Sequence, residues 1–180
     1  MITINKASHG GYNVALDGTW LAWFPKIKSA RDFAKGTYPI EKLIACAVSN
    51  LPHPYPEYAS WLIIHVAKRN PEKIEPFINQ MIDRVLTSNN QSVLRNLICT
   101  TLFFELTSYR ETAFLDRLLS FVSDESNKVA LSVYSLYKLI QFIAKYPEIK
   151  IEIDGILALK QEPMKPAMKV AIRNYSEKTK

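Results

Sequence analysis

Tyr58-Ala59-Ser60-Trp61-Leu62 returns along the chain as Val93-Leu94-Arg95-Asn96-Leu97, as Val129-Ala130-Leu131-Ser132-Val133 and as Met168-Lys169-Val170-Ala171-Ile172, at offsets of 35, 36 and 39 residues. A second set interleaves with the first. Ile82-Asp83-Arg84-Val85-Leu86 resembles Leu115-Asp116-Arg117-Leu118-Leu119 and Ile153-Asp154-Gly155-Ile156-Leu157, at offsets of 33 and 38. Each segment places apolar residues at helical spacing. Two helices per unit, repeating every thirty-odd residues, predict an all-α protein of stacked antiparallel helix pairs, an α-solenoid. A lone pair cannot cover its apolar face. The next pair covers it, and each large side chain so buried contributes roughly 1.5–3 kcal/mol.

The punctuation around these segments agrees. Ile40, Leu43, Ile44, Ala47 and Val48 mark one face of a helix over 39–49, and the prolines at 52, 54 and 56 then break the chain. A helix is expected over 58–69. Asn70-Pro71-Glu72 opens the next, to about Leu86, with a cap, a first-turn proline and an acidic first turn. Ser88-Asn89-Asn90 caps a helix to about Leu106, and Thr107-Ser108 opens one to Val122. Asp124 to Asn127 opens Lys128–Lys145, Pro147-Glu148 opens a helix to about Lys160, and Pro163 and Pro166 bracket the start of the last. Before Pro25 the character differs. Asp17-Gly18 lies between two runs rich in β-formers and fits a tight hairpin turn. The competing expectation is a helix capped by Asp17. Lys28–Lys35 reads as a short helix stopped by Gly36. Residues 1–26 are therefore expected to be an N-terminal cap, and residues 27–180 the repeat domain.

Composition is that of an ordinary globular chain, with 48% apolar and 22% charged residues. The net charge of +6 is uneven: from Lys160 onward six cations face two carboxylates. Cys46 and Cys99 each sit in an apolar helical run and are expected as buried thiols, which suits a reducing cytoplasm. No apolar run approaches the length of a membrane span.

The helix pairs resemble HEAT and armadillo repeats from about residue 29 to 178. The motif order is similar to that of short bacterial helical-repeat proteins that often carry a label borrowed from adenylosuccinate lyase. The matching residues are Tyr58 to Leu62, Lys128 to Leu136 and Lys169-Val170-Ala171-Ile172-Arg173. They are mostly packing residues, so the resemblance implies a fold. The lyases are far longer and carry a Ser-rich loop with a Met-Pro-x-Lys-x-Asn-Pro core, whereas Pro163-Met164-Lys165-Pro166 here lacks the serines and the Asn. The HEAT pattern also favours an Arg early in the second helix. Arg95 fits that place and Ala130 does not.

No sequence signature of catalysis is present. His9, His53 and His65 are far apart and no Cys/His pair has metal-ligand spacing. A catalytic Ser or Cys signature and a phosphate-cradling glycine loop are lacking. His65 reads as a partly buried structural side chain and His53 as a solvated loop residue. Asp83-Arg84 and Asp116-Arg117 read as local ion pairs. No catalytic, cofactor or metal residue is assigned.

These observations lead to a non-catalytic cytoplasmic protein that binds another protein or a peptide on the groove of one helix layer. The alternative is a nucleic-acid-binding or repair-like HEAT module with a basic face built from Lys68, Arg69, Arg95, Lys138, Lys145, Lys165, Lys169 and Arg173. Asp83, Glu105, Asp116 and Glu125 interrupt those cations along the chain. No cofactor and no membrane partner are expected. Tyr55, Tyr58, Tyr109, Tyr134, Tyr137, Tyr146 and Tyr175 are the aromatic candidates for an interface, or equally for spacers between helices.

Overall fold

The computed structural model describes residues 2–6, 12–16, 19–21, 40–160 and 163–179. The chain forms two compact units, Met1–Gln80 and Met81–Lys180.

In the first unit, strands β1 (Ile2–Lys6), β2 (Tyr12–Leu16) and β3 (Thr19–Leu21) form an antiparallel sheet in that order. Leu16 pairs with Thr19 and Val14 with Leu21, as a hairpin across residues 17–18 requires. Asp17 and Gly18 themselves lie outside the described residues, as do Trp23, Phe24 and the helix expected over Lys28–Lys35. β1 is an addition to the expected hairpin. Its sequence, Ile-Thr-Ile-Asn-Lys, alternates apolar and polar residues as a strand does.

Helix α1 (Ile40–Ala47) packs on α2 (Tyr55–Arg69). Leu43, Ile44 and Ala47 of α1 and Ala59, Leu62, Ile63 and Val66 of α2 are buried, each set at helical spacing. The proline run stops nothing at its far end: α2 starts at Tyr55, inside it. Pro56 occupies the first turn, where a missing N–H removes no helical hydrogen bond. After Asn70 the chain does not enter an α-helix at Pro71. It makes two 3₁₀ turns, Pro71–Lys73 and Glu75–Phe77, because Pro76 has no N–H to give the Glu72 carbonyl. Helix α3 (Ile78–Thr87) follows.

The second unit continues with α4 (Gln91–Thr101), α5 (Glu111–Ser123), α6 (Val129–Ile143), α7 (Ile149–Ala158) and α8 (Pro166–Lys178). Helix α6 packs against α4 and α8, while α5 packs against α6 and α7. Helices two apart in sequence are thus neighbours, which is the layering a helical repeat requires. The Asn90 cap forms as expected: its Oδ1 accepts from the N–H groups of Ser92 and Val93 at 3.1 and 3.2 Å.

Hydrogen bonds fix the register between repeats. Lys128 N–H to Gln91 Oε1, Lys138 Nζ to Thr101 O and Asn174 Nδ2 to Tyr137 Oη each span 37 residues.

Among the described residues no helix is long and apolar enough to cross a membrane. Phe114 of α5 is fully buried and meets the Phe142 ring of α6 edge-on, with centroids 6.4 Å apart. Phe114→Ala is expected to lower unfolding stability by about 3–5 kcal/mol, read from urea denaturation followed by circular dichroism.

Candidate functional site

The most elaborate polar chemistry of the second unit surrounds the end of α4. Helix α4 stops at Thr101, five residues before the expected Leu106, and α5 opens at Glu111 instead of Thr107-Ser108. The cause comes from α6. Lys138 is 2% exposed, and its ammonium donates to Thr101 O at 3.0 Å, Phe104 O at 3.0 Å and Gln141 Oε1 at 2.8 Å. Gln141 Nε2 donates to Leu102 O at 3.0 Å. Three carbonyls at the C-terminal end of α4 are thus held by side chains one repeat away. The cation also sits where the helix dipole is negative. Burial pulls the Lys138 amine down to about 8, against the opposing pull of the Glu105 charge.

The segment 102–106 and α6 bound a cleft of about 780 Å³. Leu102, Phe104, Leu106 and Phe142 supply apolar lining, and Glu111, Lys138, Gln141 and Lys145 supply polar groups. Phe103, 42% exposed, also lines it. Glu111 is buried at the head of α5. It accepts from Lys145 Nζ at 2.8 and 2.9 Å and from Tyr146 Oη at 2.7 Å. Burial opposes the charge on Glu111, but the hydrogen bonds from Lys145 and Tyr146 outweigh it and hold the carboxyl below its ordinary value. A general acid needs the reverse shift.

The layer of α4, α6 and α8 carries a second feature. Tyr134 and Tyr137 are half-buried and edge-to-face, with centroids 6.5 Å apart. Tyr134 hydrogen-bonds Cys99, whose thiol is pushed up by burial, while Tyr134 and Arg95 pull it back. Leu102, Tyr137, Ile140, Gln141, Asn174 and Lys178 line a groove of about 340 Å³.

The eight basic candidates do not act alike. Lys138 is buried on carbonyls. Lys145 is paired with Glu111. Arg95 turns to the buried Asn96 Oδ1 at 2.9 and 3.1 Å. Lys165, Lys169 and Arg173 are exposed and follow one another at four-residue spacing along α8. Lys68 and Arg69 are exposed in the last turn of α2, in the other unit. Asp83 binds Arg110 at 2.8 Å and Tyr109 Oη at 3.0 Å, and Arg117 donates to Ser88 O at 3.2 Å. For Asp83 and Arg117 these contacts cross between repeats, where a local pair is the sequence expectation. His65 meets the Trp61 ring edge-on at 4.7 Å. His53 lies 3.2 Å from Glu57. Burial pushes the Cys46 thiol up to about 12. Gln141, Glu111 and Asn174 went unread in the sequence. A signal existed for one of them: Lys138 and Gln141, the long polar side chains of this helix, stand three apart, so both face one side.

Two outcomes test this assembly. Lys138→Met takes the ammonium from the Phe104 carbonyl and leaves Thr101 O with the Phe104 N–H alone, and is expected to cost about 1–3 kcal/mol in urea denaturation. Glu111, held below its ordinary 4.5, contributes stability above that value, and the contribution is lost as pH falls through the lower folded value. Stability of the native chain should therefore drop below about pH 4.5 with a steeper slope than that of Glu111→Gln, as measured by the urea midpoint across pH.

A family model described as a HEAT repeat domain matches residues 55–179. No curated protein and no solved structure matches the chain.

Proposed function

Because this chain belongs to the HEAT repeat family, a group of repeats that serve as scaffolds for protein interaction, we propose that it binds a protein or peptide segment, without catalysis, along the layer of α4, α6 and α8. The observation that carries this reading is the half-exposed Tyr134, Tyr137 and Ile140 beside Gln141 and Asn174, on a layer where Lys138 and Arg95 are spent internally. Tyrosines over a mixed polar and apolar groove suit a protein segment, since aromatic anchors dominate such interfaces. In the adjoining cleft the Lys138 ammonium already donates to Thr101 O, Phe104 O and Gln141 Oε1, and the Glu111 carboxylate is held by Lys145 and Tyr146. We place the protein in the cytoplasm, with residues 1–26 as an end cap on the repeat domain of residues 27–180.

The exposed Lys165, Lys169 and Arg173 favour a second reading, a nucleic-acid strand along a basic face. The two separate by salt. Phosphate binding weakens steeply as salt rises, whereas an aromatic groove does not depend on counterion release.

Capture from native lysate, compared between the native chain and Tyr134→Ala/Tyr137→Ala, is the test. The double variant should lose a stoichiometric partner, or weaken it roughly tenfold or more. Equal recovery by both forms removes the tyrosine face from the account. Retention on DNA or RNA that falls steeply from low to physiological salt would transfer the function to the second reading.

A further inference from the structure

Helices α7 and α8 present unlike surfaces. Ile153 is the buried residue of α7. On the side away from it, Ile151 is 79% exposed and Leu159, just past the helix end, 81%, with Gly155 midway between them at four-residue spacing. A side chain at Gly155 would meet nothing within 4 Å, so the ridge has a gap where another helix could approach closely. Exposed carboxylates, Glu148 and Glu152, flank it. The remaining charges of α7, Lys150 and Asp154, bond each other at 2.8 Å.

Helix α8 carries the complement. Met168, Ala171 and Tyr175 are buried. The opposite side shows Val170, 42% exposed, with the exposed cations Lys169 and Arg173 beside it. An apolar ridge with an acidic border and an apolar spot with a basic border lie on adjacent helices of one pair.

We propose that this helix pair is a self-association surface whose occupant is the same pair in a second copy of the chain. Helix α7 of each copy lies on α8 of the other across a two-fold axis. A two-fold axis repeats each contact with the copies exchanged, so one α7-on-α8 pairing brings the second with it, and the two patches are complementary in both polarity and charge. Ile151 and Leu159 cover Val170 of the second copy, and Glu148 and Glu152 stand opposite its Lys169 and Arg173. Opposite charge at the border sets the pairing, and removal of the apolar ridge from water supplies the attraction.

Sedimentation equilibrium of the full chain, over a range of protein and salt concentrations, decides it. A dimer is expected whose dissociation constant rises with salt. Ile151→Lys/Leu159→Lys alters exposed positions, so it should keep the native circular dichroism and sediment as a monomer. Glu152→Arg and Arg173→Glu should each weaken the dimer roughly tenfold or more, and the double reversal should restore it. A monomer at every soluble concentration overturns the proposal, as does a dimer indifferent to the lysine pair. A dimer that the double reversal fails to restore overturns the α7-on-α8 pairing. Val170 stands four residues from the groove residue Asn174, so the two readings are separated through α7: Ile151→Lys/Leu159→Lys lies outside the groove and leaves capture by the tyrosine face unchanged.

Discussion

A helix end must place its last carbonyls somewhere, and in the second unit that requirement ties one repeat to the next. The ammonium of Lys138 takes Thr101 O and Phe104 O, and the Gln141 amide takes Leu102 O, so α6 terminates α4 from outside. A buried ammonium is costly unless all three of its donors are used, and here all three have acceptors. The same contact holds segment 102–106 over the cleft and fixes how far α6 slides along α4. Apolar burial supplies most of the energy of the stack, but burial alone is nearly indifferent to small slips. The polar contacts choose the register.

The other layer uses the same device with different residues. Arg117 of α5 reaches Ser88 O, just beyond α3, and also stands 4.5 Å over the Phe121 ring. Asp83 of α3 receives Arg110 and Tyr109 from the segment leading into α5. At α8 the pattern changes. Tyr175 lies 37 residues after Lys138, yet its hydroxyl donates to Asp154 Oδ1 of α7 at 2.6 Å. The end of α8 is met locally, by Thr179 Oγ1 on Tyr175 O at 2.9 Å. Helix α4 is closed by side chains of α6, and α8 by a side chain of its own segment.

This division explains what the sequence made legible. Helical periodicity is local, so the helices after residue 40 and their pairing could be read from spacing. So could the Asn90 cap, whose partners lie two and three residues on. Helix ends set by distant side chains could not. Nothing between Leu102 and Leu106 announces that Lys138 will take the carbonyls, and spacing alone carries the helix five residues past Thr101. The 3₁₀ turns before α3 were missed for a different reason. Pro71 is a start signal by itself, and the effect of Pro76 on the Glu72 carbonyl needs the two to be weighed together. The site was less legible than the fold: the basic residues were visible, but their commitments were not.

Those commitments change what the charge means. A formal +6 suggests an available positive field, yet in the second unit several cations within the repeats are already engaged. Lys138 closes a helix, Arg95 holds the buried Asn96, Arg117 reaches a backbone carbonyl and Lys145 neutralises Glu111. A cation bound to a carbonyl or a carboxylate must give up that bond before it can serve a phosphate, and leaving the partner unsatisfied costs about 1–3 kcal/mol. Each such residue is therefore a poorer ligand than its formal charge implies. Exposed cations of the second unit include Lys165 and Arg173 at α8 and Lys128 at the head of α6. The face of α4 and α6, by contrast, offers tyrosines and amides. The two surfaces suit different chemistry because the inner cations are used to hold the stack together.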